Sequence, residues 1–135
     1  MIVQGQEVVD WVAEKTGIKY PVGFTGIGYF SDGKLFAGAC FERWTGKSIT
    51  VHQRVDIHAP RGFWFACVDY MFNHLNCTHC IGTVDSSNDK AIQINLKMGF
   101  KLEATIKDAG SKGNDLLIMV MTKENCRLLK WGKNV

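Results

Sequence analysis

Between Asn88 and Phe100 the chain carries both the start and the stop of one helix, and that segment constrains the fold most. Asp85-Ser86-Ser87-Asn88 is rich in side-chain oxygens, and either Ser87 or Asn88 can accept a hydrogen bond from the open N–H groups of a first helical turn. Ala91, Ile92, Ile94 and Leu96 then supply an apolar face at helical spacing. Gly99 follows, and glycine enters the left-handed conformation that ends a helix at low cost. Apolar strand-like runs flank this helix at Cys80–Val84 and Phe100–Ile106.

The other elements fall around it. Gln6 to Lys15 has helical spacing, with Gly17 as its stop, and Pro21 and Gly23 break the chain. Phe24–Phe30, Leu35–Arg43 and Ser48–Ile57 read as three strands of an antiparallel meander. They are joined by Ser31-Asp32-Gly33-Lys34 and Trp44-Thr45-Gly46-Lys47, turn sequences that tolerate positive φ. Pro60 opens an aromatic-rich helix that runs to Leu75. Helix then strand implies a crossover, so part of the sheet is parallel. Asp108–Asn114 is a polar turn, Leu116–Met121 a last apolar strand, and Thr122–Lys130 a closing helical turn or two. The order is α–β–β–β–α–β–α–β–β: a mixed α/β sheet with helices on its faces, in one domain spanning residues 1–135.

Composition narrows the function classes. The net charge of +3 fits an anionic ligand, but the lysines are dispersed, which argues against nucleic acid. No run approaches the roughly 18 apolar residues of a membrane span. Five scattered cysteines and no apolar leader point to free thiols in a reducing cytoplasm. Cys77-Thr78-His79-Cys80 is a lone pair without a second ligand pair and reads as buried thiols, so no metal is expected.

The stretch Asn88-Asp89-Lys90-Ala91 through Gly99-Phe100, followed by Leu102-Glu103-Ala104 and by Asn114–Arg127, resembles the second half of the GNAT superfamily of N-acetyltransferases. The first half matches in element order only. The resemblance implies the GNAT fold, acetyl-CoA as acetyl donor, and an amine of a protein or small molecule as acceptor. That family normally has one more strand before the first helix, and its loss here would leave an exposed sheet edge. The family's pyrophosphate turn corresponds to His58–Ala66, where Arg61 and Gly62 match its start and Trp64 replaces the next expected glycine. By position, a backbone N–H of Ile57 or His58 would polarise the thioester oxygen. Asn88 matches the asparagine that contacts the pantetheine arm or caps the helix. Asn95 stands where the family commonly has the tyrosine that protonates the leaving thiolate, and an amide can donate a hydrogen bond but not act as an acid.

For the base that deprotonates the amine, the residues offer His58, Glu42, His52 and Asp56, with His58 and Glu42 foremost. Tyr20, Phe24, Tyr29, Trp44 and Trp64 are candidates for an aromatic acceptor cleft. The altered phosphate turn and Asn95 also admit a second reading, a GNAT-like binding or inhibitory module that docks on a partner protein or on a second copy. Compact single-domain variants of this fold occur among bacteriophage and mobile-element proteins, a setting compatible with this length.

Overall fold

Three glycines on neighbouring strands decide how the first helix sits. The computed structural model describes residues 1–19, 24–56 and 58–131. In it α1 (Gln6–Thr16) crosses β2 (Thr25–Ser31) and β3 (Lys34–Glu42) directly above Gly26, Gly28 and Gly38. A Cβ on any of the three would stand 2.9 Å from a methyl group of Val8, Val9 or Val12, so only bare backbone admits the helix this close. Val8, Val9 and Val12 are buried there against Cys40, with Trp11 and Phe24 at the margin. Gly17 ends α1 in the left-handed conformation, as its position in the sequence predicts.

A three-residue strand, β1 (Ile2–Gln4), precedes α1 and pairs antiparallel with β2 through Ile2↔Tyr29 and Gln4↔Ile27. The amino-terminal strand expected to be missing is therefore present. Its brevity hid it, since three residues carry no readable alternation.

The meander forms as expected. Asp32 and Gly33, both at positive φ, turn β2 into β3, and β3 pairs antiparallel with β4 (Ser48–Val55). α2 (Arg61–Asp69) starts directly after Pro60. It passes at Tyr70 into a π-helical turn, Tyr70–His74, and so covers the stretch expected to be a single helix. β5 (His79–Asp85) returns parallel to β4. α3 (Asp89–Met98), β6 (Lys101–Ile106), β7 (Leu116–Thr122) and α4 (Arg127–Trp131) complete the chain. The seven strands lie in the order β1-β2-β3-β4-β5-β7-β6.

Alternation along the strands divides the residues between two faces. The rear face carries Ile27, Ala39, Phe41, Ile49, Val51, Cys80, Met119 and Met121, packed against Phe63, Val68 and Phe72 of α2 and its extension and against Cys126 and Leu128 at α4. The front face carries α1. Cys77 and Cys80 are both buried free thiols, and burial pushes both up from the ordinary thiol range. None of the described helices is long and apolar enough to cross a membrane.

Candidate active site

β4 and β5 run side by side for only half their length. Their partners are Ser48↔His79 through Val51↔Gly82, and beyond that point they separate. From His52 onward β4 keeps only β3 as a partner, while β5 from Thr83 keeps only β7. The sheet therefore opens as a wedge, closed at Val51–Gly82 and wide at the ends that feed α2 and α3.

Two cavities fill the wedge, of about 450 Å³ and about 520 Å³. They share Val55, Lys90 and Ile94, so they form one continuous cleft. The first lies at the start of α2, with an apolar floor that includes Val55, Ala59 and Met98. Around it stand Arg61, Lys90, Lys97 and Arg127, and the described residues of the wall include no carboxylate. Arg127 is steadied by a hydrogen bond from its Nη1 to the Lys97 carbonyl oxygen, at 3.3 Å. The second cavity adds Lys15 and Arg54 and one acid, Asp56. That acid is committed: Arg54 donates from Nε and Nη2 to its two oxygens at 2.8 and 3.0 Å. These hydrogen bonds hold the Asp56 carboxyl below the ordinary carboxylate range. The cleft as a whole is cationic, and its size suits a small-molecule ligand.

Several residues singled out from the sequence meet here. Arg61 opens α2 at the rim, and His58 is exposed on the same cavity. Gly62 lies in the first turn of α2, where a Cβ would meet nothing within 4 Å. Trp64 stands in the cavity wall, its ring edge-on to Phe63 at 5.0 Å between centroids. Asn88 caps α3, its Oδ1 accepting from the Ala91 N–H at 3.2 Å, and also lines the second cavity. Ile57, like Tyr20, lies outside the described residues.

Asn95 is placed elsewhere. It is 7% exposed, and its amide donates to the Met119 sulfur at 3.7 Å, inside the core between α3 and β7. This side chain faces the sheet, because α3 turns its Asn95–Met98 side inward. The thiolate-donor position inferred from the resemblance thus holds a packing residue.

Glu42 is not brought to His58. It lies on the front face, where its Oε2 is 2.5 Å from Nε2 of His52 and its Oε1 accepts from Arg43 Nε at 3.3 Å. Both side chains of the Glu42–His52 pair are about 20% exposed, and Phe24 stacks on the His52 ring at 6.0 Å. Glu42 and His52 are ten residues apart and meet through the register Cys40↔His52 and Glu42↔Thr50.

Lys90, Lys97 and Arg127 also converge on the first cavity. Lys90, Ile94 and Lys97 follow the i, i+4, i+7 spacing of a single helix face, a signal that was present. Arg127 gave none, since only the docking of α4 beside α3 brings it to the cleft.

No protein-family model and no curated protein matches the chain by sequence. Solved structures do match by shape. A chimera of the Vibrio cholerae spermidine N-acetyltransferase SpeG superposes with a TM-score of 0.70 at 11% identity, over 91% of this chain and 96% of that one. The same V. cholerae enzyme in complex with CoA and spermine gives 0.63 at 15% identity, over 86% and 74%. A putative acetyltransferase of Salmonella typhimurium with its cofactor acetyl-CoA gives 0.59 at 18% identity, over 74% and 65%. The chain thus has the GNAT fold, a seven-stranded mixed sheet opened between β4 and β5.

Proposed function

We propose that this protein is an acetyl-CoA-dependent N-acetyltransferase whose acceptor is an amine of a small molecule or a protein. The observation that carries this reading is the cationic cleft that narrows to a closed end between β4 and β5. Its wide end suits the phosphates of acetyl-CoA. Arg61, Lys90, Lys97 and Arg127 supply the positive charge, and the first turn of α2 adds outward N–H groups and the favourable end of a helix dipole. Trp64 gives up the close backbone approach that a glycine would allow and offers an aromatic wall instead.

The middle of the cleft suits the pantetheine arm, which passes Val55, Ala91 and Ile94. An arm threaded along β4 stops where the strands meet, so the thioester comes to rest beside Val51 and Gly82. One residue beyond Val51 β4 has lost β5 as a partner, and its β5-facing N–H groups polarise the thioester carbonyl as negative charge develops on it. The five buried, reduced thiols fit a protein that works in a reducing cytoplasm.

The test is a thermal-shift and calorimetric titration with acetyl-CoA. Stabilisation that grows with ligand, to about 2.7 kcal/mol at 100 times Kd, supports the reading. No response at millimolar acetyl-CoA sinks it. Release of CoA thiol in the presence of amines then shows transfer.

A further inference from the structure

Resting on that reading, we infer that His52, oriented by Glu42, is the catalytic residue that takes the proton from the acceptor amine. The argument starts at the closed end of the cleft. Val51 is the last β4 residue paired with β5, and His52 is the next one along. Gln53, its other neighbour, already lines the second cavity. That cavity includes the front-face residues Lys15, Thr16 and Arg54 together with Ala91 and Ile94 of α3, so it passes through the sheet. A thioester at the closed end is therefore open to attack from the front, and the His52 ring lies on that side.

The pair has the polarity the task needs. An ionised carboxylate only accepts hydrogen bonds, so the Nε2–H of His52 donates to Glu42 Oε2. That fixes the tautomer and leaves Nδ1 as a basic lone pair. No hydrogen bond to Nδ1 is recorded among the described residues. Phe24 stacks on the ring and restrains its rotation. Glu42 acts through the imidazole and is a positioning residue.

Among the described residues, the charged and titratable groups near the ring lie on β3 and β4 and, on α1, at Lys15, which lines the second cavity. On β3 they are Glu42 itself, with Arg43 attached to its other oxygen, and Cys40, whose thiol is pushed up to about 12 by burial and by Glu42. On β4 the nearest is Arg54, which is engaged with Asp56 and with Trp11 of α1. β5 offers only the uncharged Gly82 and Thr83 at this level.

The step balances as follows. The acceptor R–NH3⁺ gives one proton to Nδ1 of His52. The freed amine attacks the carbonyl carbon, the C–N bond forms, and the C–S bond breaks with its electron pair leaving on sulfur. The second proton lost by nitrogen ends on the CoA thiolate, and the imidazolium returns its proton to water. R–NH3⁺ and acetyl-CoA thus become the acetamide, CoA–SH and one released proton.

The experiment compares wild type, His52→Gln and Glu42→Gln. Thiol release from acetyl-CoA is followed between about pH 5 and 8, the range in which an ordinary imidazole changes charge, with spermine and a lysine-containing peptide as amine probes. Acetyl-CoA affinity is measured alongside. His52→Gln is expected to lower kcat/KM at neutral pH by about 10²–10⁴ and to remove the neutral limb of the profile, with acetyl-CoA affinity unchanged. Glu42→Gln is expected to cost less than His52→Gln, because the imidazole stays in place and loses only the partner that orients it. In wild type, ¹⁵N NMR of the imidazole should show the proton on Nε2.

An unchanged pH profile in His52→Gln, a proton on Nδ1, or a wild type that binds acetyl-CoA but acetylates neither probe overturns the assignment while leaving the acetyl-CoA site standing. Failure of wild type to bind acetyl-CoA overturns both. The NMR measurement needs no variant, so a variant that does not fold leaves the assignment open to refutation.

Discussion

The guanidinium carbon of Arg54 lies 3.9 Å from the centre of the Trp11 ring, and its Nη1 donates to the Trp11 carbonyl oxygen at 2.9 Å. This contact ties α1, on the front face, to the lip of the cleft. Cation–π attraction and the hydrogen bonds to Trp11 and Asp56 act together here, on an arginine side chain only 18% exposed. Arg54→Ala is expected to destabilise the fold by about 1–2 kcal/mol. Arg54→Lys should recover only part, because an ammonium cannot span both carboxylate oxygens and the ring. Chemical denaturation of the two variants checks this.

Gly62 separates helix stability from ligand approach. A methyl group there meets nothing within 4 Å, and alanine is the better helix former. Gly62→Ala should raise stability by about 0.5–1 kcal/mol. If phosphates rest against the first turn of α2, the same change weakens acetyl-CoA. Lys90→Ala and Arg127→Ala should each weaken it about fivefold or more; Lys90→Ala should leave stability unaltered, while Arg127→Ala should also cost about 0.5–1 kcal/mol through the lost hydrogen bond to Lys97. Paired thermal-shift and calorimetric measurements read both effects.

Asn95 is expected to matter for packing and not for chemistry. Among the described residues its side-chain amide donates to the weakly accepting Met119 sulfur alone, so Asn95→Leu should be neutral or stabilising and should leave acetyl-CoA affinity and kcat unchanged. Asn95→Tyr overfills the space between α3 and β7 and should cost about 1–3 kcal/mol. A large loss of kcat in a fully folded Asn95→Leu would contradict this.

Gly99 tolerates no side chain. Its φ is 119°, and a Cβ would fall 2.0 Å from the Asn125 carbonyl oxygen. The backbone before α4 lies directly on the stop of α3. Gly99→Ala should cost more than about 3 kcal/mol, the sum of backbone strain and overpacking, and should yield little folded protein on expression.

Asp85 makes acid sensitivity local. Its oxygens accept from Ser87 Oγ at 2.6 Å, Ser111 N at 2.6 Å and Ser111 Oγ at 2.8 Å, which ties the β6–β7 turn to the end of β5. The Ser87 hydroxyl first, then the Ser111 N–H, hold its carboxyl well below the ordinary carboxylate range. A depressed carboxyl stabilises the fold fully above its unfolded value, near pH 4, and loses that contribution as pH falls further. The melting temperature of wild type should therefore drop below about pH 4, and Asp85→Asn should show a shallower drop from a lower starting point. Melting curves at stepped pH check it.

What was legible in the sequence is what a few neighbouring residues can decide. The cap at Asn88, the stops at Gly17 and Gly99, and the Asp32-Gly33 turn all depend on φ preferences and side-chain reach within one turn of chain. Arg61 and Gly62 were singled out by the resemblance of His58–Ala66 to the start of a pyrophosphate turn, and they open α2 at the rim of the cleft. Asn95 is turned onto Met119 by the rotation of α3 against β7, which packing across the core sets.

The sequence by itself therefore determined the element order from α1 onward, the helix ends and the crossover that makes β4 and β5 parallel. Tertiary structure decided where those two strands part, which cations converge on the gap, and that Glu42 meets His52. Strand register and helix docking bring together residues tens of positions apart, and the free energy that selects them is spread over the whole core, so no local stretch of sequence records it.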